Sequence, residues 1–280
     1  MKKLIIFFSL FIVFGNCSGM SHVQNFLAKR NIWGFEQAVD AIAPQVGIMY
    51  IADDLDFKQT ALNLIHAAKS PDIWGIIVII DNNGGRTTQF SMLHDIIKKI
   101  TPIKPVICLV TAALSGGYMV ASATDYIIAT RLAAIGSIGV LMEISRFQDP
   151  VMNQNGIKTK YTVDIFKAGK FKDLYDSHSQ ELSEEERAYI QDSIDRTYEE
   201  FKKMMVENRN LKLEDSEQWA EAQSFIAPEA LELGLIDEIG TMFEAEAKII
   251  ELIRAKNPIE SFKNKVSPFF YDEKNVGSKQ

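Results

Sequence analysis

The sequence predicts an α/β protein built on a largely parallel sheet, and three observations predict it. Residues 46–51, 74–80 and 105–111 are short apolar runs rich in Ile and Val. Runs without polar alternation fit strands covered on both faces. Between them, apolar residues recur at helical spacing: Phe57, Ala61, Leu64, Ile65 and Ala68, then Phe90, Leu93, Ile97 and Ile100. Strand and helix alternating in this way imply parallel neighbours joined by right-handed crossovers.

The elements can be justified in chain order. Lys2 and Lys3 precede an apolar run over residues 4–14, which ends at Gly15-Asn16-Cys17-Ser18-Gly19. A basic start, a short apolar stretch and a small or polar exit read as an export signal, with cleavage after Gly19. The run is shorter than the ~20 residues of a spanning helix. Lipid attachment at Cys17 is disfavoured, because Asn16 stands where a small residue usually precedes such a cysteine. Residues 46–51 give the first strand of the body. Asp81-Asn82-Asn83-Gly84-Gly85 is a loop signal after the second strand, and Thr101-Pro102 closes the following helix. Strands are expected over residues 126–130 and 157–163, the latter from its alternation. Residues 164–173 carry three lysines and no periodicity. A long helix starts near Ser183, where Ser183 and Glu186 form a capping box. Its apolar stripe is Ile190, Ile194, Tyr198, Phe201 and Met205. Shorter helices follow around Trp219, over residues 228–233 and over residues 243–253. No linker divides the rest of the chain, so residues 1–19 are expected as a signal peptide or short membrane anchor, 20–256 as one domain, and 257–280 as a polar tail.

Bulk properties exclude several functions. Across 280 residues the net charge is −7 and the pI about 5.3. With no basic stripe, nucleic-acid binding is not expected. Of the two cysteines, Cys17 lies in the leader and Cys108 in an apolar strand. The mature chain therefore has no disulfide framework and no zinc spacing, and no cofactor is expected.

The candidate chemistry begins at Leu114-Ser115-Gly116-Gly117-Tyr118. A serine at a strand-to-helix junction, backed by glycines, suits a nucleophile. Glycine permits close approach to the backbone, and unpaired N–H groups face a developing oxyanion. The plainer alternative is an N-cap serine. Asn83-Gly84-Gly85 is a second glycine loop at a strand's carboxyl end, where ligands gather in open α/β sheets. The four histidines, His22, His66, His94 and His178, form no local motif with Ser115. His66 and His94 read as partly exposed helix residues.

Four segments in this order resemble the signal peptide peptidase A family of membrane-associated Ser–Lys peptidases. They are Ala113-Leu114-Ser115-Gly116-Gly117-Tyr118, Ile135-Gly136-Ser137-Ile138-Gly139-Val140, residues 167–173 and residues 230–240. The resemblance runs from about Val46 to Gly240. It implies a Clp-protease/crotonase-like spiral of β-β-α units. It also implies that Ser115 is the nucleophile, Lys167 the general base, and Ser137 the group that holds the lysine amine. Gly116, with Gly84 or Gly85, would supply the oxyanion N–H groups. It further implies peptide substrates such as signal peptide remnants, membrane association outside the cytoplasm, and a homo-oligomeric ring. A lysine acts as base only when neutral. Bringing its ordinary pKa of ~10.4 near neutrality costs about 3.5 to 4 kcal/mol, which burial can supply. One departure stands out: the family's Asn-Ser-Pro-Gly-Gly is Asp81-Asn82-Asn83-Gly84-Gly85 here, without the stiffening proline. A peptide-binding scaffold without activity and a crotonase-like acyl-thioester enzyme are the rival readings.

Overall fold

The structure, a computed structural model, describes residues 11–14, 45–144, 168, 170–172, 174–175 and 181–256. Contacts divide the chain into two compact units, Met1–Ile138 with Met205–Gln280, and Gly139–Met204.

The first unit carries the sheet. Its elements are β1 (Phe11–Phe14), β2 (Gln45–Ala52), α1 (Phe57–Lys69), β3 (Ile73–Asn82), α2 (Thr87–Ile100), β4 (Val106–Leu114), α3 (Gly116–Ser122) and β5 (Tyr126–Gly136). After the second unit come α5 (Ser216–Trp219), β6 (Ser224–Ile226), α6 (Ala227–Glu232), β7 (Glu238–Ile239) and α7 (Met242–Lys256). Strands β1 to β6 lie side by side in chain order, and β7 pairs with β5. Every pairing is parallel except β5 with β6. The predicted largely parallel sheet is therefore present. Strand β1 falls inside the segment read as an export leader; loss of that leader would leave β2 as the edge.

Burial explains the apolar runs. Ile76, Ile77, Val78 and Ile80 of β3 are all fully buried. Successive strand residues point to opposite faces, so both faces of β3 are covered. On one face, Ile77, Ile107, Leu109 and Ile128 pack with Ala245, Ile249 and Ile253 of α7. Helix α1 buries Thr60, Ala61, Leu64 and Ala67, so its core stripe runs through Ala67 rather than the expected Ala68. Strand β5 extends to Gly136, six residues past the expected end at Thr130. The predicted strand at residues 157–163 lies outside the described residues.

Two polar clusters tie the later elements to the sheet. Arg209 donates from Nη1 and Nη2 to the Asp237 carboxylate at 3.0 and 2.9 Å. Asp237 Oδ2 also accepts the Ile127 N–H at 2.7 Å. Beside them, the buried Tyr118 hydroxyl donates to Leu235 O at 2.7 Å. Burial pushes that phenol well above its ordinary range. The segments around Tyr118 and residues 230–240, far apart in sequence, thus meet in the fold. Arg209→Ala leaves a carboxylate and a backbone carbonyl without their donor. It should lower stability by about 3 kcal/mol or more, read from urea unfolding.

The second cluster corrects one sequence reading. His94 is 6% exposed, not a surface residue. Its Nε2 faces Asn208 Nδ2 at 2.7 Å and its Nδ1 faces Asp95 Oδ1 at 3.0 Å. Asn208 Nδ2 also donates to Ser122 Oγ at 3.2 Å. Helical spacing placed His94 on the α2 boundary; the amide partner that takes it inside comes from over a hundred residues away. Burial lowers the His94 pKa, outweighing the raising effects of Asp95 and Glu207. The unfolded chain therefore binds a proton near pH 6.5 that the folded chain refuses. Stability should be fully present above that pH and fall as pH drops through it. His94→Gln should flatten this dependence in unfolding curves taken between pH 5 and 7.5.

In the second unit, α4 (Glu184–Arg209) begins, and it runs on into the first unit beyond Met204. Its predicted capping box is present. Glu186 Oε2 accepts the Ser183 N–H at 2.8 Å, and Glu186 N–H donates to Ser183 Oγ at 3.3 Å. Ile190, Phe201 and Met205 of the predicted stripe are buried. Among the described residues, no helix is long and apolar enough to cross a membrane.

Candidate active site

Four parallel strands deliver the site. Beyond the carboxyl ends of β2, β3, β4 and β5 stand Asp53, the loop of residues 83–85, Ser115 and Ser137. Irregular register helps to align them. At Thr111, β4 bulges against β3, and β5 steps from Ala129 to Ala134 across Val110 and Ala112. Bulges of this kind re-aim the residues that follow. Leu114 is then level with Gly136, and the Ser115 N–H donates to Gly136 O at 2.8 Å. Ser137 follows directly and is held by its own N–H donating to Gln223 O at 2.6 Å. The two serines are thus neighbours along the sheet's rim.

Ser115 has φ 50° and ψ −117°. A positive φ on a residue with a Cβ costs on the order of 1–3 kcal/mol and concentrates at functional sites. An N-cap serine would adopt extended backbone and turn its hydroxyl onto the helix's first amides. Here the Ser115 side chain makes no capping bond, although its backbone carbonyl does accept from Met119 N–H at 2.9 Å. The hydroxyl has no hydrogen-bond partner among the described residues. A sharp strand-to-helix turn that leaves the hydroxyl free is the geometry of an exposed nucleophile.

The glycines have direct steric reasons. A Cβ on Gly116 would lie 2.5 Å from the Phe90 ring, which α2 holds 1% exposed beneath the turn. Gly84 has φ 99°, and a Cβ there would lie 2.8 Å from Ser115 Cβ and 3.0 Å from Gly116 N. The β3 loop therefore touches the serine turn at backbone range. Gly84 N–H donates to Asn82 Oδ1 at 2.8 Å, so it is engaged. The N–H groups of Gly85 and Gly116 have no partner among the described residues.

Sequence reasoning missed what holds this loop. Asn82 is 1% exposed and donates from Nδ2 to Ala52 O at 2.8 Å. Asn83 is bound through both its N–H and its side-chain amide to Asp53, at 2.8 and 2.7 Å. Two asparagines before Gly-Gly are the residues that bridge to nearby backbone, which was the available signal. Asp53 lies thirty positions away, and nothing local marks it.

The structure places Ser115, Ser137, Gly84, Gly85 and Gly116 at one end of the sheet in the first unit. Lys167 lies outside the described residues. In the second unit, Lys170 is exposed and ion-paired with Glu185, and Phe171 stacks on Tyr189 at 4.3 Å. Lys172 is also exposed.

Comparisons with known proteins place the chain in a family. "Putative protease MJ0651" of Methanocaldococcus jannaschii is 31% identical over 199 residues, covering 70% of this chain and 62% of that protein. "Putative signal peptide peptidase SppA" of Enterococcus faecium is 30% identical over 173 residues, covering 59% of this chain and 47% of that protein. The chain thus spans less than two thirds of the length of either relative. A solved enoyl-CoA hydratase/isomerase family member aligns with a TM-score of 0.45 and 16% identity, covering 78% of this chain and 76% of that one. The profile of peptidase family S49 matches residues 98–256, more than half of the sequence and inclusive of Ser115, Ser137 and Lys167. The chain belongs to peptidase family S49.

Proposed function

We propose that this peptidase is a serine endopeptidase with a Ser115–Lys167 dyad. Ser115 Oγ attacks the scissile carbonyl carbon while the neutral Lys167 amine takes its proton. The N–H groups of Gly116 and Gly85 receive the oxyanion. Collapse breaks the C–N bond, and the lysine ammonium returns its proton to the departing amine. Water then cleaves the acyl-enzyme with the same amine as base. Ser137 accepts or donates a hydrogen bond at the amine and holds it toward Ser115.

The observation that carries the reading is Ser115 itself, strained at φ 50°, its hydroxyl and the nearby N–H groups of Gly85 and Gly116 having no hydrogen-bond partner among the described residues. The lysine and Ser137 roles rest on the family resemblance of residues 135–140 and 167–173. The same resemblance suggests extended, apolar peptides such as cleaved signal peptides as substrates. An added strand with a small apolar primary pocket would hold them. Residues 2–19 suggest export and action at the outer side of the inner membrane, and the family resemblance suggests a homo-oligomeric ring.

Incubation with a fluorophosphonate followed by peptide mass spectrometry tests the nucleophile. A single adduct on Ser115 is expected. Intact, unlabelled Ser115 under conditions that modify an active relative would reject the proposal in favour of a scaffold without activity.

A further inference from the structure

The loop of residues 81–85 contains no proline, yet its backbone is tied down by side chains. Asp53, just past the end of β2, places one carboxylate oxygen on the Asn83 N–H at 2.8 Å and the other on Asn83 Nδ2 at 2.7 Å. Asn82 adds a bond back to Ala52 O and another to the Gly84 N–H, each 2.8 Å. Three of these four bonds anchor the loop to the end of β2; the fourth shapes its turn. The next two residues are Gly84, against Ser115, and Gly85, whose N–H has no partner among the described residues. On the other side, a Cβ on Gly85 would lie 3.2 Å from Phe90 Cε2. The same ring underlies Gly116, so Phe90 supports both donors from below while Asp53 restrains the loop from the β2 side.

Asp53 and Asn83 are exposed. Hydrogen bonds between exposed groups add little to global stability, because water competes for both partners. A two-point grip on one residue instead fixes orientation. We infer that Asp53 is a positioning residue, which sets the Gly85 N–H against the Gly116 N–H through its double bond to Asn83. The inference rests on the serine peptidase reading, since it gives the loop a catalytic purpose.

The experiment uses the full-length protein, a chromogenic apolar peptide, and kcat, KM and melting temperature for each variant. Asp53→Ala should lower kcat about 10- to 100-fold, the scale of a displaced oxyanion donor or a 1 Å misplacement. KM and melting temperature should stay at the wild-type values, which a general structural defect would not allow. Asp53→Asn should keep most of the activity, because flipping the Asn83 amide restores both bonds. Asn83→Asp should lose activity by setting two carboxylates together, and the exchange Asp53→Asn with Asn83→Asp should recover it. Asp54→Ala, a neighbouring exposed carboxylate outside this grip, should behave as wild type. Asp53→Ala at wild-type kcat, or an exchange variant no better than Asn83→Asp, would overturn the inference and leave the peptidase reading intact. A wild-type protein that neither cleaves peptide nor takes the fluorophosphonate would overturn both.

Discussion

Ser115→Ala should abolish peptide cleavage, a fall of about 10⁴-fold or more, because under the proposed mechanism the acyl-enzyme has no oxygen on which to form. The variant should fold normally. Its side chain makes no capping bond, and its backbone bonds to Gly136 and Met119 do not involve the hydroxyl. The strain at φ 50° adds a second expectation at the same position. Glycine adopts that backbone freely, so Ser115→Gly should be inactive yet more stable than Ser115→Ala by on the order of 1 kcal/mol. Matched urea unfolding curves check this. A gain would show that the fold holds the turn in a conformation it would otherwise avoid.

The second large effect belongs to Lys167. Lys167→Ala should cost about 10²- to 10⁴-fold in kcat, the usual contribution of a general base. Lys167→Arg should fail equally, since a guanidinium does not give up its proton near neutral pH. Lys170→Ala should retain activity, because that residue is exposed and ion-paired with Glu185 in the second unit. Steady-state assays on the three variants distinguish the lysines within one short segment.

Much of the fold was legible because its signals are local. The apolar runs at residues 74–80 and 105–111 needed no alternation, since helices cover both faces of the sheet. The capping box at Ser183 and Glu186 formed as written. The site was legible as residue types only. Ser-Gly-Gly after a strand marks a nucleophile candidate, but the positive φ of Ser115 occurs where a long-range register sets Leu114 beside Gly136. That register depends on bulges at Thr111 and in β5, which no short pattern encodes. His94 looked like a surface residue because its partner, Asn208, is remote in sequence. Asp53 was invisible for the same reason: a carboxylate in a polar turn resembles any solvated side chain until its partner across the sheet is known. The loss of proline looked like a weakened loop, whereas Asn82 and Asn83 supply the restraint through hydrogen bonds.

The most direct test is the rate at which a fluorophosphonate phosphonylates Ser115, with loss of fluoride, as a function of pH, in wild type and in Lys167→Ala. Proton removal by a neutral lysine predicts a wild-type rate that climbs and then levels off at a pH well below the ordinary lysine range. In the variant the rate should be low and show no such plateau. Equal rates and equal profiles in the two proteins would contradict the dyad.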